Sequence, residues 1–487
     1  FNDTFFQFSE QPVIMIIHCS NVNGYMVNLE CQVTDQLKWR FRMKNIITIA
    51  GSGSGYTPGI LLTALSYKDE FPIKEIRLYD IDEERNEQMR IIMDYLLHRE
   101  NVDVELIATS DPQVAFYGCN FVFSQIRAGG MKMREMDEKI PLKLGLVVQE
   151  TCGLGGFAYG MRSMKSFVEL VGFIQEYAPD AWILNYTNPE SIIAETVRRR
   201  FPKAKIINAC DMTIGIEELL ENSFGYDRQN FISTYYGLNH FGWYREIYDV
   251  QRGKDIMPEI IEKIITQGFK TSDLDPSWAK TYQLMAEMQQ DFPQYLPNNY
   301  LEYYLYPNKI VEEANPDYTR ANEIMDGRLK QITDTVSKIK EKRDLETINY
   351  QSGVHGQYIV RMAISILHSR NDRFMLIVPN RGAIPNVRED AVVEVPCYVN
   401  AKGVEPISLR DPIPDFHKGL MEAQVAAEKL LVDAFFEHSY QKAFQAFTLN
   451  QTVPNATVAK QALDEMIKAN GDQWVELKGG PTYAVSY

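Results

Sequence analysis

The sequence predicts an α/β protein. Its first half is a doubly wound parallel sheet and its second half is mixed α+β. Three observations carry this. Residues 46–50, Ile-Ile-Thr-Ile-Ala, form an apolar, β-branched run that ends in glycines at alternate positions, Gly51, Gly53 and Gly55. The apolar residues that follow, Ile60, Leu61, Leu62, Ala64 and Leu65, recur at helical spacing. The stretch therefore reads strand, tight turn, helix. Residues 76–80, Ile-Arg-Leu-Tyr-Asp, then form a second strand that ends in an acid. That order is a dinucleotide-binding fold of Rossmann type.

The turn leaves backbone N–H groups at a helix N-terminus, where hydrogen bonds and the helix dipole bind phosphate. Pro58 suits the first helical turn, where its missing N–H costs nothing. Gly51, Gly53, Ser54, Gly55, Thr57 and Pro58 are the expected cofactor-binding positions. Asp80 is expected on the ribose hydroxyls, where it repels a 2′-phosphate and favours NAD. Arg85 lies near enough in sequence to keep NADP open. The pattern is G-x-G-x-G rather than G-x-G-x-x-G, so taken alone it also fits an ordinary strand-to-helix turn.

Alternation continues along the chain. A helix is expected over 83–98, and strands over 104–108, 120–123, 181–185 and 205–208. Ligands in such a sheet sit beyond the C-terminal strand ends. After the fourth strand come Arg127, Lys132 and Arg134 with Gly129 and Gly130, a phosphate clamp or a solvated basic loop. Residues 149–156 place three glycines beside Glu150, a carboxylate that either tunes a nearby base or caps a helix. After the fifth strand, Asn188 precedes Pro189 and is held extended, as in lactate- and malate-type dehydrogenases. After the sixth, Cys210 and Asp211 put a thiol and a carboxylate side by side.

The second half carries fewer signals. His240 lies in an aromatic loop, where a lone histidine is usually structural. Tyr300, Tyr303, Tyr304 and Tyr306 include the helical spacings of three and four, so most are expected in a core. Residues 417–477 read as long amphipathic helices. The organisation expected is an extension over 1–42, an NAD-binding domain over 43–209 and a catalytic and oligomerisation domain over 210–487.

Composition sets the outer bounds. The chain has 487 residues, 45% apolar and 24% charged, with a net charge of −15. That charge argues against nucleic acid or an anionic membrane as partner. No apolar run approaches bilayer length. The six cysteines, Cys19, Cys31, Cys119, Cys152, Cys210 and Cys397, form no C-x-x-C pair. A reducing, cytoplasmic setting is expected. Residues 13–17 are too short for a signal-peptide core. Met43 directly precedes the first strand, so residues 1–42 are expected to be non-native; the alternative is an extra surface strand or two.

Several motifs occur together in one order: Gly-Ser-Gly-Ser with Thr-Pro, Arg-Ala-Gly-Gly with Met-Arg, Gln-Glu-Thr-Cys-Gly, Asn-Tyr-Thr-Asn-Pro, Cys-Asp-Met and Gly-Leu-Asn-His-Phe-Gly-Trp. The set resembles glycoside hydrolase family 4, the NAD- and manganese-dependent glycosidases, from about Met43 to the C-terminus. The resemblance implies Cys210 and His240 as metal ligands and Asp211 as the acid that protonates the leaving group. It implies Tyr300 as the base, with Tyr303 and Tyr304 as alternatives. Arg134, Asn188 and Arg320 would contact substrate, and Glu150 would make the tyrosine more basic. Cys-Asp-Met points to members that act on 6-phospho-α-glucosides. Thr213 departs from the family, which usually has proline there. The implied reaction oxidises the sugar at C3, removes the C2 proton, eliminates the aglycone, adds water and reduces C3 again. NAD and Mn2+ are the implied cofactors, a phosphorylated disaccharide the substrate, and a homodimer or homotetramer the assembly. Competing expectations are a lactate/malate-type dehydrogenase, a non-catalytic NAD-binding regulator, and a family member acting on unphosphorylated α-glycosides.

Overall fold

The computed structural model describes residues 44–272 and 274–480. The expected extension, with Cys19 and Cys31, lies outside the described residues. The first half runs β1 (Asn45–Ala50), α1 (Thr57–Ser66), β2 (Ile73–Tyr79), α2 (Glu83–Arg99), β3 (Glu105–Thr109), α3 (Pro112–Phe116), β4 (Phe121–Ser124), α4 (Gly130–Lys143), α5 (Gly153–Tyr177), β5 (Trp182–Asn185), α6 (Glu190–Arg200), β6 (Ile206–Ala209) and α7 (Met212–Phe224). All six strands pair in parallel in the order β6-β5-β4-β1-β2-β3. This is the doubly wound order expected, with a topological switch between β1 and β4. Strand limits differ by one to three residues from those expected, because the apolar pattern does not mark the ends of a ladder.

The buried strands alternate between two cores. Phe121 and Phe123 of β4 enter one apolar cluster and Val122 enters the other. Helices α1, α2 and α7 cover the first face, and α5 and α6 the second. Near-continuous burial on both faces explains why β1 and β4 read as unbroken apolar runs.

The second half adds β7 (Phe231–Leu238), β8 (Phe241–Asp249), β9 (Lys254–Asp255), α8 (Met257–Gln267), α9 (Pro276–Asp291) and β10 (Leu296–Pro297). Short helices α10 (Glu302–Leu305), α11 (Pro307–Glu313) and α12 (Arg320–Ile324) follow, then α13 (Lys330–Glu341) and α14 (Val354–His368). β11 (Asp372–Pro379), β12 (Val392–Asn400) and β13 (Gly403–Pro406) precede α15 (Asp415–Glu437), α16 (Tyr440–Leu449) and α17 (Ala456–Asn470). The last three are the amphipathic helices expected over 417–477. The sheet does not stop at β6. β11 pairs antiparallel with it, β12, β7, β8 and β10 extend the same sheet, and β13 on β12 and β9 on β8 bring it to thirteen strands.

Two features of the second half position the site. Helix α14 lies against α1 at Gly356. A Cβ there would come within 2.6 Å of Thr63 Oγ1 and 2.8 Å of the Gly59 carbonyl oxygen. This close approach brings the start of α14 to the glycine turn. The tyrosine run departs from expectation: Leu301 and Glu302 take the fully buried positions, while Tyr300, Tyr303, Tyr304 and Tyr306 are only half-buried. A 3-10 turn at Asn299–Leu301 breaks the helical phase there and turns Tyr300 and Tyr303 toward a cleft.

Candidate active site

The glycine turn opens one end of this cleft. Gly51 has φ +78°, and a Cβ there would lie 2.8 Å from the Gln125 carbonyl oxygen and the Ile126 backbone, so glycine is required. The Gly53 N–H donates to Asp80 Oδ2 at 2.9 Å, and Asp82 N–H donates to Asp80 Oδ1 at 3.0 Å. The Arg85 guanidinium donates to the Gly53 carbonyl oxygen at 2.8 Å. It is thus tied to the turn, and Asp80 lines the cleft beside it. Gly51, Gly53, Ser54, Gly55 and Asp80 all line the cleft. Thr57 and Pro58 do not. Both are buried behind the turn, where Thr57 Oγ1 donates to the Ser52 carbonyl oxygen at 2.7 Å.

Beyond the turn, β6 ends at Ala209 and delivers Cys210 to the cleft floor. The β7–β8 hairpin delivers His240 opposite. His240 takes a left-handed backbone, φ 61°, which costs a non-glycine residue about 1–2 kcal/mol. Strain of this kind collects at functional positions. Cys210 Sγ stands 3.2 Å from His240 Nε2, and His240 Nδ1 stands 3.1 Å from Thr151 Oγ1. Burial holds the imidazole neutral, pushing it down to about 4 against the pull of Glu150 and Asp211. Burial and the neighbouring Asp211 charge push the Cys210 thiol well up.

The chemistry of this donor set fits a divalent cation. A thiol and an imidazole nitrogen face each other, and the buried Oδ1 of Asn188 has no protein partner. Among the described residues no three His, Cys, Asp or Glu side chains cluster to enclose a metal. Cys210 and His240 are the two side chains here that could ligate a divalent cation, and both line the open cleft.

Asp211 follows Cys210 and heads α7. Its Oδ2 is 3.0 Å from His355 Nδ1. Burial works to raise this carboxyl, but the bond and charge of His355 outweigh it and hold it below the usual range. The His355 ring stacks on Tyr56 at 4.5 Å and packs on Tyr186 at 4.3 Å, and its buried Nε2 has no protein partner. Next to Asp211, the Thr213 hydroxyl is buried without a protein partner while Tyr244 donates to the Thr213 carbonyl oxygen at 2.6 Å.

Tyr300 meets the metal-capable pair from the other side. Its ring lies edge-on to His240 at 4.7 Å and parallel to Trp278 at 6.3 Å. Burial, Cys152 and Glu150 push its hydroxyl well above the ordinary tyrosine value, and Arg134 opposes them. Glu150 pairs with Arg127 and lies 3.2 Å from Arg134, which also binds Glu138 at 2.8 Å. Burial raises Glu150, but the two arginines win and bring it down to about 2. The stretch after β4 is thus neither a free clamp nor a solvated loop. It is an ion network beside the tyrosine. Arg320 also lines the cleft, held by Asp275 at 3.2 Å and Glu323 at 2.5 Å; the N–H of the next residue, Ala321, donates to Glu138, the carboxylate that binds Arg134.

The cleft has a volume of about 1390 Å³ and brings together Arg134, Glu150, Asn188, Cys210, Asp211, His240, Tyr300 and Arg320. Tyr303 lines it too, whereas Tyr304 packs on Phe241 at 4.6 Å. Sequence reasoning missed His355, Tyr56, Thr151, Gln149 and Trp278. The signal available for His355 was its place between Gly353 and Gly356 at a helix start.

Fold and site together define a nucleotide-dependent enzyme with a metal-capable thiol–imidazole pair. A family model described as Family 4 glycosyl hydrolase matches residues 46–225, and one described as Family 4 glycosyl hydrolase C-terminal domain matches residues 235–453. The chain belongs to family 4 of the glycosyl hydrolases. Maltose-6′-phosphate glucosidase MalH of Clostridium acetobutylicum is 45% identical to it over 437 residues, 88% of this chain and 99% of that protein. A crystal structure of a 6-phospho-α-glucosidase from gut microorganisms, in complex with NAD and Mn2+, matches with a TM-score of 0.87 at 41% identity. It covers 90% of this chain and 100% of its own. A second structure of a 6-phospho-α-glucosidase from gut microorganisms, in complex with NAD and glucose-6-phosphate, matches equally, covering 90% and 100%.

Proposed function

We propose that the protein hydrolyses 6-phospho-α-glucosides, for example maltose 6′-phosphate to glucose 6-phosphate and glucose, with NAD and Mn2+ as cofactors. The observation that carries this is one cleft joining a dinucleotide turn, a thiol–imidazole pair 3.2 Å apart and a tyrosine ring 4.7 Å from that imidazole. A simple dehydrogenase has no use for the thiol. When bound, NAD supplies reversible oxidation of the sugar at C3 and Mn2+ supplies Lewis-acid stabilisation of negative charge.

The chain's residues do the rest. The turn holds the pyrophosphate and Asp80 the ribose. Cys210 and His240 would hold the metal. Tyr300 removes the C2 proton, and Arg134 opposes the burial that raises its hydroxyl. Asp211 gives a proton to the leaving glycosidic oxygen, and His355 orients it. Asn188, Arg134 and Arg320 position the sugar phosphate. Both arginines are paired with carboxylates, Arg134 through Nε and Nη1 and Arg320 through Nη1, and a guanidinium carries further N–H donors for a phosphate. The usual two-carboxylate route of glycoside hydrolysis does not apply to this family, whose NAD-dependent chemistry stands outside it. A homodimer or homotetramer in the cytoplasm, where charged sugar phosphates are retained, completes the proposal. Among the described residues no helix is long and apolar enough to cross a membrane.

The test is release of para-nitrophenol from one α-glucoside with and without its 6-phosphate, and with and without NAD and Mn2+. Activity should need both cofactors, with no net NADH. An arginine–phosphate fork is worth about 1.5–3 kcal/mol. Arg134→Ala and Arg320→Ala should therefore lower kcat/KM for the phosphorylated substrate roughly ten- to a hundredfold. Equal rates on both substrates in the wild type would sink the phosphate reading, and NADH accumulating with product would sink the hydrolase reading.

A further inference from the structure

We infer that Thr151, backed by Gln149, fixes which nitrogen of His240 carries the proton and so makes His240 Nε2 available as a metal ligand. The inference rests on the reading of Cys210 and His240 as ligands.

The proton positions follow from donor counting. Gln149 Oε1 accepts the Cys152 N–H at 2.9 Å and the Thr151 N–H as well. Two backbone donors converge on this atom, so it must be the amide oxygen and not the nitrogen. Thr151 Oγ1 lies 2.9 Å from the same oxygen. A carbonyl oxygen only accepts, so the hydroxyl proton points at Gln149. A hydroxyl has one proton. Toward His240 Nδ1, at 3.1 Å, Thr151 therefore presents a lone pair. Nδ1 must carry the hydrogen, and in a neutral imidazole Nε2 is then bare. That bare nitrogen faces Cys210 Sγ at 3.2 Å. Without metal the thiol donates to it. A bound metal would use the Nε2 lone pair and the Cys210 thiolate, so binding would release the thiol proton to solvent.

The opposite tautomer fails on the same count. A bare Nδ1 would need the single Thr151 proton that Gln149 already receives. Packing does not decide the matter, since the backbone turn and the Tyr300 edge contact place the ring in either tautomer. Thr151 is thus a positioning residue that acts through His240. Partners of this kind beyond the metal ligands are typically worth 10–100-fold in metal affinity.

The experiment uses the full chain. Mn2+ is titrated and read by electron paramagnetic resonance of the free ion, NAD binding is read by fluorescence quenching, and the ring nitrogens of 15N-histidine-labelled, metal-free protein are read by NMR. Thr151→Val should weaken Mn2+ roughly ten- to a hundredfold and leave NAD affinity within twofold. Thr151→Ser should restore Mn2+ affinity. The wild-type spectrum should show His240 protonated at Nδ1, assigned by its loss in His240→Gln. Wild-type Mn2+ affinity in Thr151→Val, or an Nε2–H signal in the wild type, would overturn the inference. The wild-type spectrum decides even if Thr151→Val fails to fold. If Cys210→Ser and His240→Gln both bind Mn2+ as the wild type does, the assignment of the ligands fails instead.

Discussion

His355 joins the two ends of the cleft at the level of single residues. Its Nδ1 bonds Asp211 at 3.0 Å while its ring stacks on Tyr56, next to the glycine turn. Arg328 donates to the Tyr56 hydroxyl at 3.1 Å and completes the stack. His355→Phe keeps the ring and removes the bond. A hydrogen bond to a charged group is worth about 1.5–3 kcal/mol, so kcat/KM should fall roughly ten- to a hundredfold. NAD affinity, measured by fluorescence quenching, should stay within twofold; an equal loss of both would make His355 a packing residue. The cleft does bring Cys210, Asp211 and His240 together; the first two stood out after a strand end, whereas His240 alone read as structural and was singled out only by the family motif. The roles of His355 and Thr151 were not legible. His355 acquires its role from a partner 144 residues away, and Thr151 from one 89 residues away. Nothing local in the sequence encodes those distances.

At the scale of elements, the contact between α1 and α14 governs both the turn and His355. Gly356→Ala would drive a methyl group into Thr63 Oγ1 and the Gly59 carbonyl oxygen. Overpacking of this sort costs about 1–3 kcal/mol. The melting temperature should fall and NAD affinity with it, because α1 carries the turn. Unchanged NAD affinity alongside a lower melting temperature would show that the turn moves independently of α1. The six parallel strands were readable because their short apolar runs alternate with helical segments; β1 and β4, buried on both faces, are the plainest, while β2 carries Lys74, Glu75 and Arg77 and the edge strand β3 is only half-buried. The tyrosine run misleads because its spacing matches a helix that a 3-10 turn interrupts. The pairing of β11 with β6 was invisible as well. It joins strands over 160 residues apart through only Leu376–Ala209 and Ile377–Asn208.

Over the whole molecule, buried carboxyls set the response to pH. Burial raises Glu302 and Glu394 to about 8 and Glu217 and Glu428 to about 7. An unfolded glutamate titrates near 4.3. Between these values the folded chain holds protons that the unfolded chain has lost, so stability falls as pH rises. It is highest near and below the unfolded value and is lost as pH climbs through 7 to 8, by up to about 1.4 kcal/mol per pH unit for each such proton. Glu150 works the other way. Its folded value of about 2 gives stability above pH 4 that is lost as pH falls toward 2. Urea midpoints should therefore decline from about pH 5 to 8, and Glu302→Gln should flatten that decline. A midpoint that rises over this interval would refute the assignment.

The thirteen-stranded sheet carries a consequence for how the chain can be divided. Between α7 and β7 the backbone passes through a short connection, residues 225–230, which also separates the two family matches. Cutting there would not free a nucleotide-binding fragment. The β6–β11 ladder and the α1–α14 packing both cross the cut, so the pieces should remain clasped. Expressed as two polypeptides, residues 43–226 and 227–487 should find each other and regain NAD binding together, a split enzyme whose reassembly reports its own cofactor site.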